Sequence, residues 1–450
     1  MLNWRKPVIN TLLKVTGSTV PAKVDFIKSI EYLPREQIEL IQKKNLKKLL
    51  LHAGKNCPYY TKVLSESGVI QNDQVRLDNF NQIPFLTKDI IRKEFNNIVS
   101  KKTVAKKTWT DTSGGSTGVP VKLLKDNFFW DMGIASHIFY NHMIGKKIGE
   151  KEIKLWGSER DTLTGKETLS FRLKNWLYNR KLLNSFRMTD SDMHKFVEAF
   201  NTIKPKSVWC YIESIYELAR FVKTNSLTAH PPEAIIATAG TITEPVKQLV
   251  EEVFQTKVYN QYGSREVGCV AAECVKQEGL HIFEFSQMLE VIDENNQEVQ
   301  PGVVGENVIT TLYNHSFPLI RYRIGDTSIK KDGWCSCGRK LKLLKTVTGR
   351  VSDHFKSQDG AIIHGEYFTH LFYDRPWIKK FQVVQNDYNN IDVYIVQSDQ
   401  KNDADIKDIK DKIRHVLGNQ CITNFKFVNE ILASDSGKYR YTISKLSHEK

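Results

Sequence analysis

One short run constrains this 450-residue chain more than any other: Thr112-Ser113-Gly114-Gly115-Ser116-Thr117-Gly118-Val119-Pro120-Val121-Lys122. Glycines let backbone N–H groups turn inward around an anion with no Cβ in the way. The hydroxyls of Ser113, Ser116 and Thr117 add rotatable donors to phosphate oxygens. A loop of this make-up suits a triphosphate, so ATP is the leading candidate ligand. It is not a Walker A loop, because no Gly-Lys-Ser/Thr closes it. Taken alone, the run reads at least as readily as a Gly/Ser-rich turn or linker.

Later segments shift that balance. Ala239-Gly240-Thr241 closes a short apolar run, and Tyr259-Asn260-Gln261-Tyr262-Gly263-Ser264-Arg265-Glu266 follows a strand-like stretch. Arg321-Tyr322-Arg323-Ile324-Gly325-Asp326, Thr348-Gly349-Arg350-Val351-Ser352-Asp353 and Ser436-Gly437-Lys438-Tyr439-Arg440 come after it in that order. Upstream stand Cys57-Pro58-Tyr59-Tyr60 and Ile83-Pro84-Phe85-Leu86-Thr87-Lys88-Asp89. Order and spacing together resemble the adenylate-forming (AMP-forming) ligase superfamily. The resemblance is closest to its phenylacetate–CoA ligase-like branch, which includes capsular polysaccharide biosynthesis proteins, and it runs from about Tyr32 to the C-terminus.

The resemblance implies a fold and a division of labour. The fold class is α/β, the adenylate-forming ligase fold. A large N-terminal α/β domain with a β-rich subdomain (1–350) would hold ATP and the carboxylate. A small, mobile α+β C-terminal domain (351–450) would carry the catalytic lysine. Ser113, Gly114, Gly115, Ser116, Thr117, Gly118 and Lys122 would surround the phosphates. Ala239, Gly240 and Thr241 would form the turn beneath adenine, with Tyr262 and Gly263 beside the ring. Asp326 would accept both ribose hydroxyls, since two carboxylate oxygens match a vicinal diol. A turn aspartate after Gly325 is the plainer reading of that residue. Glu266 would help hold Mg2+, Arg350 would reach ribose and phosphate, and Lys438 would stabilise charge during adenylation. Two departures are visible: Arg265 stands where the family has threonine, placing a fixed cation near the phosphates, and Ser352-Asp353 replaces the usual paired Asp at the hinge.

The acid pocket falls, by the same resemblance, around Trp156-Gly157-Ser158-Glu159-Arg160 and Trp209-Cys210-Tyr211-Ile212-Glu213-Ser214. Its charged members suit a polar acid better than a fatty chain. Cys274 and His281 are separated by six residues, and Cys335-Ser336-Cys337-Gly338 forms a knuckle. Three thiolates and an imidazole make a closed tetrahedral zinc set, and some members of the branch carry such a structural zinc. Four unrelated buried residues is the alternative, with Cys269 as a competing ligand.

Composition narrows the partners. Lysine and arginine exceed aspartate and glutamate by 65 to 51, a formal charge of +14, which favours an acidic partner. No aromatic-basic nucleic-acid module is apparent. An acidic small-molecule or polymeric substrate, such as a uronic acid glycan, an amino acid or an acyl acid, is therefore expected. The seven cysteines are sparse and odd in number, which argues against a disulfide framework and for the cytoplasm. No apolar run reaches the roughly 20 residues of a spanning helix. Residues 1–17 read as a short amphipathic helix opening near Pro7, either in peripheral contact with an anionic membrane or packed on its own domain.

Periodicity predicts a helix over 34–64 and helices at 128–143, 191–203, 212–224 and 244–254, plus one capped by Thr87 and running through residue 95. Strands are expected to end at 155–157 and to cover 207–210, 234–238 and 257–259. Residues 288–292 and 306–312 begin a β-rich stretch; strands at 379–386, 390–397 and 424–428 with a helix at 403–417 follow. The activity so implied is that of an AMP-forming ligase, which turns a carboxylate and ATP into an acyl-adenylate. Its acceptor would be an amine or sugar group in capsular or surface polysaccharide assembly, as in joining an amino acid to a uronic acid. An aryl- or acyl–CoA ligase, with coenzyme A as acceptor, and a non-catalytic nucleotide-binding homologue are the rivals.

Overall fold

The computed structural model describes residues 3–102, 108–112, 121–157, 169–240, 242–348, 355–363, 365–372, 375, 377–398, 400–431 and 441–446. The phosphate-loop residues 113–118, the acid-pocket residues 158–160, Thr241, Arg350, the hinge pair 352–353 and Lys438 lie outside the described residues. Contacts divide the chain into two compact units: Met1–Thr112 with Val121–Ile148 and Tyr259–Gly349, and Ser113–Pro120 with Gly149–Val258 and Arg350–Lys450.

In the first unit, Leu46, Leu49, Leu50 and Ala53 recur at helical spacing in Arg35–Asn56 and are all buried, so this helix presents one apolar stripe to the core. The helix expected over 34–64 is in fact two. Pro58 drives Cys57 into extended backbone, φ −120° and ψ 109°, because a residue before proline is disfavoured in the helical region. A second helix, Pro58–Glu66, then starts with Pro in its first turn, where its missing N–H costs nothing. The stripe packs on an antiparallel ladder ordered Gln287–Ile292, Val304–Thr311, Tyr322–Lys331, Leu343–Thr348, Leu280–Ile282, Gly268–Glu273 and Val258–Ser264. Strands Thr108–Thr112 and Lys122–Asp126, not expected from the sequence, pair antiparallel with Thr112 opposite Lys122. The ends of the glycine-rich run are thereby held side by side.

Two upstream motifs acquire a reason here. Leu86 pairs with the neighbours of Tyr322, its N–H bonding Arg321 O at 2.9 Å and its O accepting from Arg323 N at 3.0 Å. Thr87 then accepts from Ile90 N and caps the helix Lys88–Ile98. Arg321, 3% exposed, locks this junction. Its guanidinium bonds the Glu290 carboxylate and the carbonyls of Asn81 and Ile83, and lies 4.3 Å from the Phe85 ring centre.

In the second unit, parallel strands run in the order Ala234–Thr238, Ser207–Tyr211, Glu152–Trp156, Arg180–Asn184. The first two are buried at every position, as expected of parallel strands covered on both faces. Val208, Cys210, Ile235 and Ala237 meet Phe200, Leu218, Val222 and Phe254 from the helices Asp190–Ile203, Ile212–Thr224 and Glu244–Phe254. Towards the C-terminus, Ile422–Phe427, Asn390–Gln397, Ile378–Gln385 and Thr442–Ser444 form a four-stranded sheet with the helix Asp403–Leu417. Its core includes Phe186 and Tyr211 from the parallel-sheet part, and Met188 pairs with Ile362.

Candidate functional site

The strand expected at 257–259 continues to Ser264, so Tyr262-Gly263 lies within a strand and not at its end. The ladder partner is Gly268–Glu273, with a register shift between Tyr262 and Gly263. Gly263 is needed there: a Cβ would lie 2.5 Å from Gly268 O and 3.1 Å from Cys269 Cα, a clash with backbone that no rotamer relieves. The hairpin turn carries Arg265, exposed, and Glu266, 4% exposed. Ser264 Oγ accepts from the N–H groups of Glu266 and Val267, which fixes the turn.

Asp326 lies in the Tyr322–Lys331 strand, not in a turn. Tyr262 Oη donates to Asp326 Oδ2 at 2.9 Å and accepts from Asn307 Nδ2 at 3.1 Å. Asn307 Oδ1 in turn accepts from Ser328 Oγ. A buried network of this kind holds the Asp326 carboxylate in one orientation. Asn307 and Ser328, both fully buried, were missed in the sequence. The signal that could have found them was an asparagine inside the apolar strand Val304–Thr311. Lys122 is exposed on its strand, with Nζ 5.5 Å from the Phe95 ring centre.

Four side chains of the first unit converge elsewhere. The ligand atoms of Cys274, His281, Cys335 and Cys337 all lie within 4.8 Å of one another. Cys274 Sγ is 3.6 Å from Cys335 Sγ, and Cys337 Sγ is 3.5 Å from His281 Nε2. Thiolates on one tetrahedral zinc stand about 3.7 Å apart given Zn–S bonds of about 2.3 Å, so the donor set fits that ion. Gly338, at φ +90°, turns the knuckle. Burial, with Arg339 adding, pulls the His281 imidazole down to about 4, which leaves it neutral. Burial raises the Cys337 thiol, but hydrogen bonds with Arg339 outweigh this and hold it below its ordinary value. Cys269 stands apart, accepting from Gln261 Nε2 at 3.2 Å.

In the second unit, Ala239 occupies the left-handed region at φ +63°, which a non-glycine residue rarely adopts. A Cβ on Gly240 would run into the Glu213 carboxylate and Ile212. The segments expected to form the acid pocket meet: the Trp156 and Tyr211 rings lie 4.1 Å apart, and Lys154 Nζ lies 4.4 Å from the Trp156 ring centre. Burial pulls Lys154 down to about 8, with Arg180 adding.

Comparison with known proteins fits this geometry. A family model described as the CapK C-terminal domain matches residues 355–445. Protein CapK of Staphylococcus aureus is 25% identical over 418 residues, covering 90% of this chain and 89% of that protein. Phenylacetate-coenzyme A ligase of Thermus thermophilus is 27% identical over 342 residues, covering 72% and 73%. Over most of its length the chain is similar to the phenylacetate–coenzyme A ligase-like branch of the AMP-forming ligases. Its fold matches 2-hydroxyisobutyryl-CoA ligase in complex with 2-HIB-AMP and CoA, with a TM-score of 0.63 at 18% identity over 92% of each chain. The architecture is therefore the α/β adenylate-forming ligase fold, with a large N-terminal domain and a smaller C-terminal one. The sequence similarities and the fold together support an AMP-forming ligase.

Proposed function

We propose that this ligase activates a polar carboxylate as an acyl-adenylate and passes the acyl group to an amine or sugar group in surface-polysaccharide assembly. The observation that carries the nucleotide site is the hydrogen bond between Tyr262 and Asp326, 64 residues apart in sequence. It joins the two side chains that would meet adenine and ribose, and it holds the carboxylate in one orientation. Ser113, Gly114, Gly115, Ser116, Thr117, Gly118 and Lys122 would hold the phosphates. Ala239, Gly240 and Thr241 would lie under the adenine, with Gly263 beside the ring. Glu266 offers the carboxylate for Mg2+, which when bound neutralises charge on the phosphate oxygens. Arg265 and Arg350 would add fixed cations, and Lys438 would stabilise charge at the α-phosphate during adenylation. Residues 1–350 would act as the adenylation domain and 351–450 as the small domain that delivers Lys438 and then turns away.

The similarity to Protein CapK over nine-tenths of the chain supports the polysaccharide reading, as does the net charge of +14. Lys154 beside Trp156 adds a cation and a flat apolar face, the pair that an acidic sugar or amino acid would use. Cys274, His281, Cys335 and Cys337 would hold one structural zinc, since four protein ligands leave no open position. A cytoplasmic enzyme is the setting that free thiols and ATP use favour.

A pyrophosphate-release screen over amino acids, uronic acids and aryl acids tests the first step, followed by amines, sugars and coenzyme A as acceptors. Turnover of a polar acid with an amine or sugar supports the proposal. Efficient turnover of an uncharged aryl or fatty acid with coenzyme A overturns it in favour of an acyl–CoA ligase, the reading suggested by the phenylacetate-coenzyme A ligase relatives.

A further inference from the structure

The helix Leu169–Leu177 turns its apolar stripe outward. Leu169, Leu173 and Trp176 recur at i, i+4 and i+7, which is one face of a helix, and they are 84%, 64% and 57% exposed. In a helix packed on its own domain this is the face that is buried. Single exposed leucines need no explanation, but a contiguous exposed stripe marks a surface that meets something apolar. The charge on this segment has one sign among the described residues. Arg172, Lys174 and Lys181 are exposed, and residues 169–189 contain no Asp or Glu. The carboxylate of Glu152, which comes near from the next strand, is already bound by Arg180 at 2.5 Å.

We propose that this helix docks the protein reversibly on an anionic lipid surface. Leu169, Leu173 and Trp176 enter the headgroup boundary, and Arg172, Lys174 and Lys181 meet lipid phosphates. An apolar stripe with cations beside it complements an interface that is apolar beneath and negative above. Tryptophan suits that boundary because its body is apolar and its N–H is polar. A second copy of the chain fits less well, since a two-fold contact brings a patch against itself and would oppose cation to cation.

The test is co-sedimentation of the full chain with vesicles of phosphatidylcholine alone or with added phosphatidylglycerol. Binding to the anionic vesicles should exceed binding to neutral ones by about tenfold or more and should weaken with salt. The double variant Leu173→Asn, Trp176→Ser should lose about tenfold or more of that binding, with folding checked by thermal melting. Arg172→Glu with Lys174→Glu should abolish the preference for anionic lipid while leaving the stripe intact, and it serves if the first variant fails to fold. Wild-type protein that ignores anionic vesicles, or variants that bind as the wild type does, overturns the proposal. A wild-type dimer that Leu173→Asn, Trp176→Ser dissolves also overturns it, assigning the stripe to self-association.

Discussion

Tyr262, Asp326 and Asn307 show how single side chains would set up the proposed nucleotide site. Tyr262→Phe keeps the ring but removes the hydroxyl that joins Asp326 to Asn307. The Asn307 amide then loses a partner in a buried position, which costs about 1–3 kcal/mol. The expected outcome is a lower melting temperature and a several-fold rise in the KM for ATP, with kcat changed less. Kinetics of acid-dependent pyrophosphate exchange against ATP concentration check this; an unchanged KM would remove Asp326 orientation from the account. Lys438→Ala should spare folding and ATP binding yet slow adenylation by about 100- to 1,000-fold, the typical loss for one electrostatic contact to developing charge. Near wild-type exchange in that variant would sink the assignment. Lys154 gives a pH prediction. Its folded value of about 8 lies below the ordinary 10.5, so between those values the unfolded chain holds the extra proton and stability rises with pH. Lys154→Met should therefore stabilise the protein at neutral pH, by up to about 3 kcal/mol, since a tenfold loss of proton affinity on folding corresponds to about 1.4 kcal/mol. It should also flatten the alkaline rise, as read by melting temperature across a pH series.

At the scale of elements, the hairpin bearing Glu266 and the cysteine knuckle make separate demands. Gly263→Ala places a methyl group against the backbone of Gly268 and Cys269. Overpacking of this kind costs about 1–3 kcal/mol, and the displacement should reach Tyr262 next to it, so stability and ATP affinity should fall together. The knuckle should instead affect stability first. Purified protein prepared without added metal is expected to contain about one zinc per chain, the stoichiometry of a closed four-ligand site. Cys337→Ser should lower the metal content and the melting temperature before it touches adenylation. Elemental analysis showing less than about half an equivalent would count against the site. The regular elements were the most readable part of the chain. Helices Glu244–Phe254 and Asp403–Leu417 match the sequence expectation at both ends, because their apolar spacing and polar flanks are local signals. The pair Thr108–Thr112 and Lys122–Asp126 was unreadable, since short strands with Asp, Lys and Thr carry no alternation strong enough to mark them.

For the whole molecule, a charge of +14 acts at long range, whereas ATP would be held by short directional bonds. Apparent KM for an acidic polymer should therefore rise more steeply with salt than KM for ATP, because exposed charges are screened over about 8 Å at physiological ionic strength. Equal shallow slopes would argue for an uncharged acid.

What the sequence determined by itself was the set and order of motifs, and with them the resemblance to the adenylate-forming ligases and the α/β fold. It also supplied the Cys274, His281, Cys335 and Cys337 spacing, which a turn and two adjacent strands could bring together. Only the tertiary structure decided that Tyr262 meets Asp326 and that Asn307, within the Val304–Thr311 strand, donates to the Tyr262 hydroxyl. It alone showed that Arg321 serves as a buried clamp and that Leu169, Leu173 and Trp176 face outward. The reason is physical. Periodicity and capping report forces between residues a turn apart, and those are written locally. Which side chains meet across tens of residues depends on strand register and on which face of an element is covered, and both are settled by packing of the whole chain.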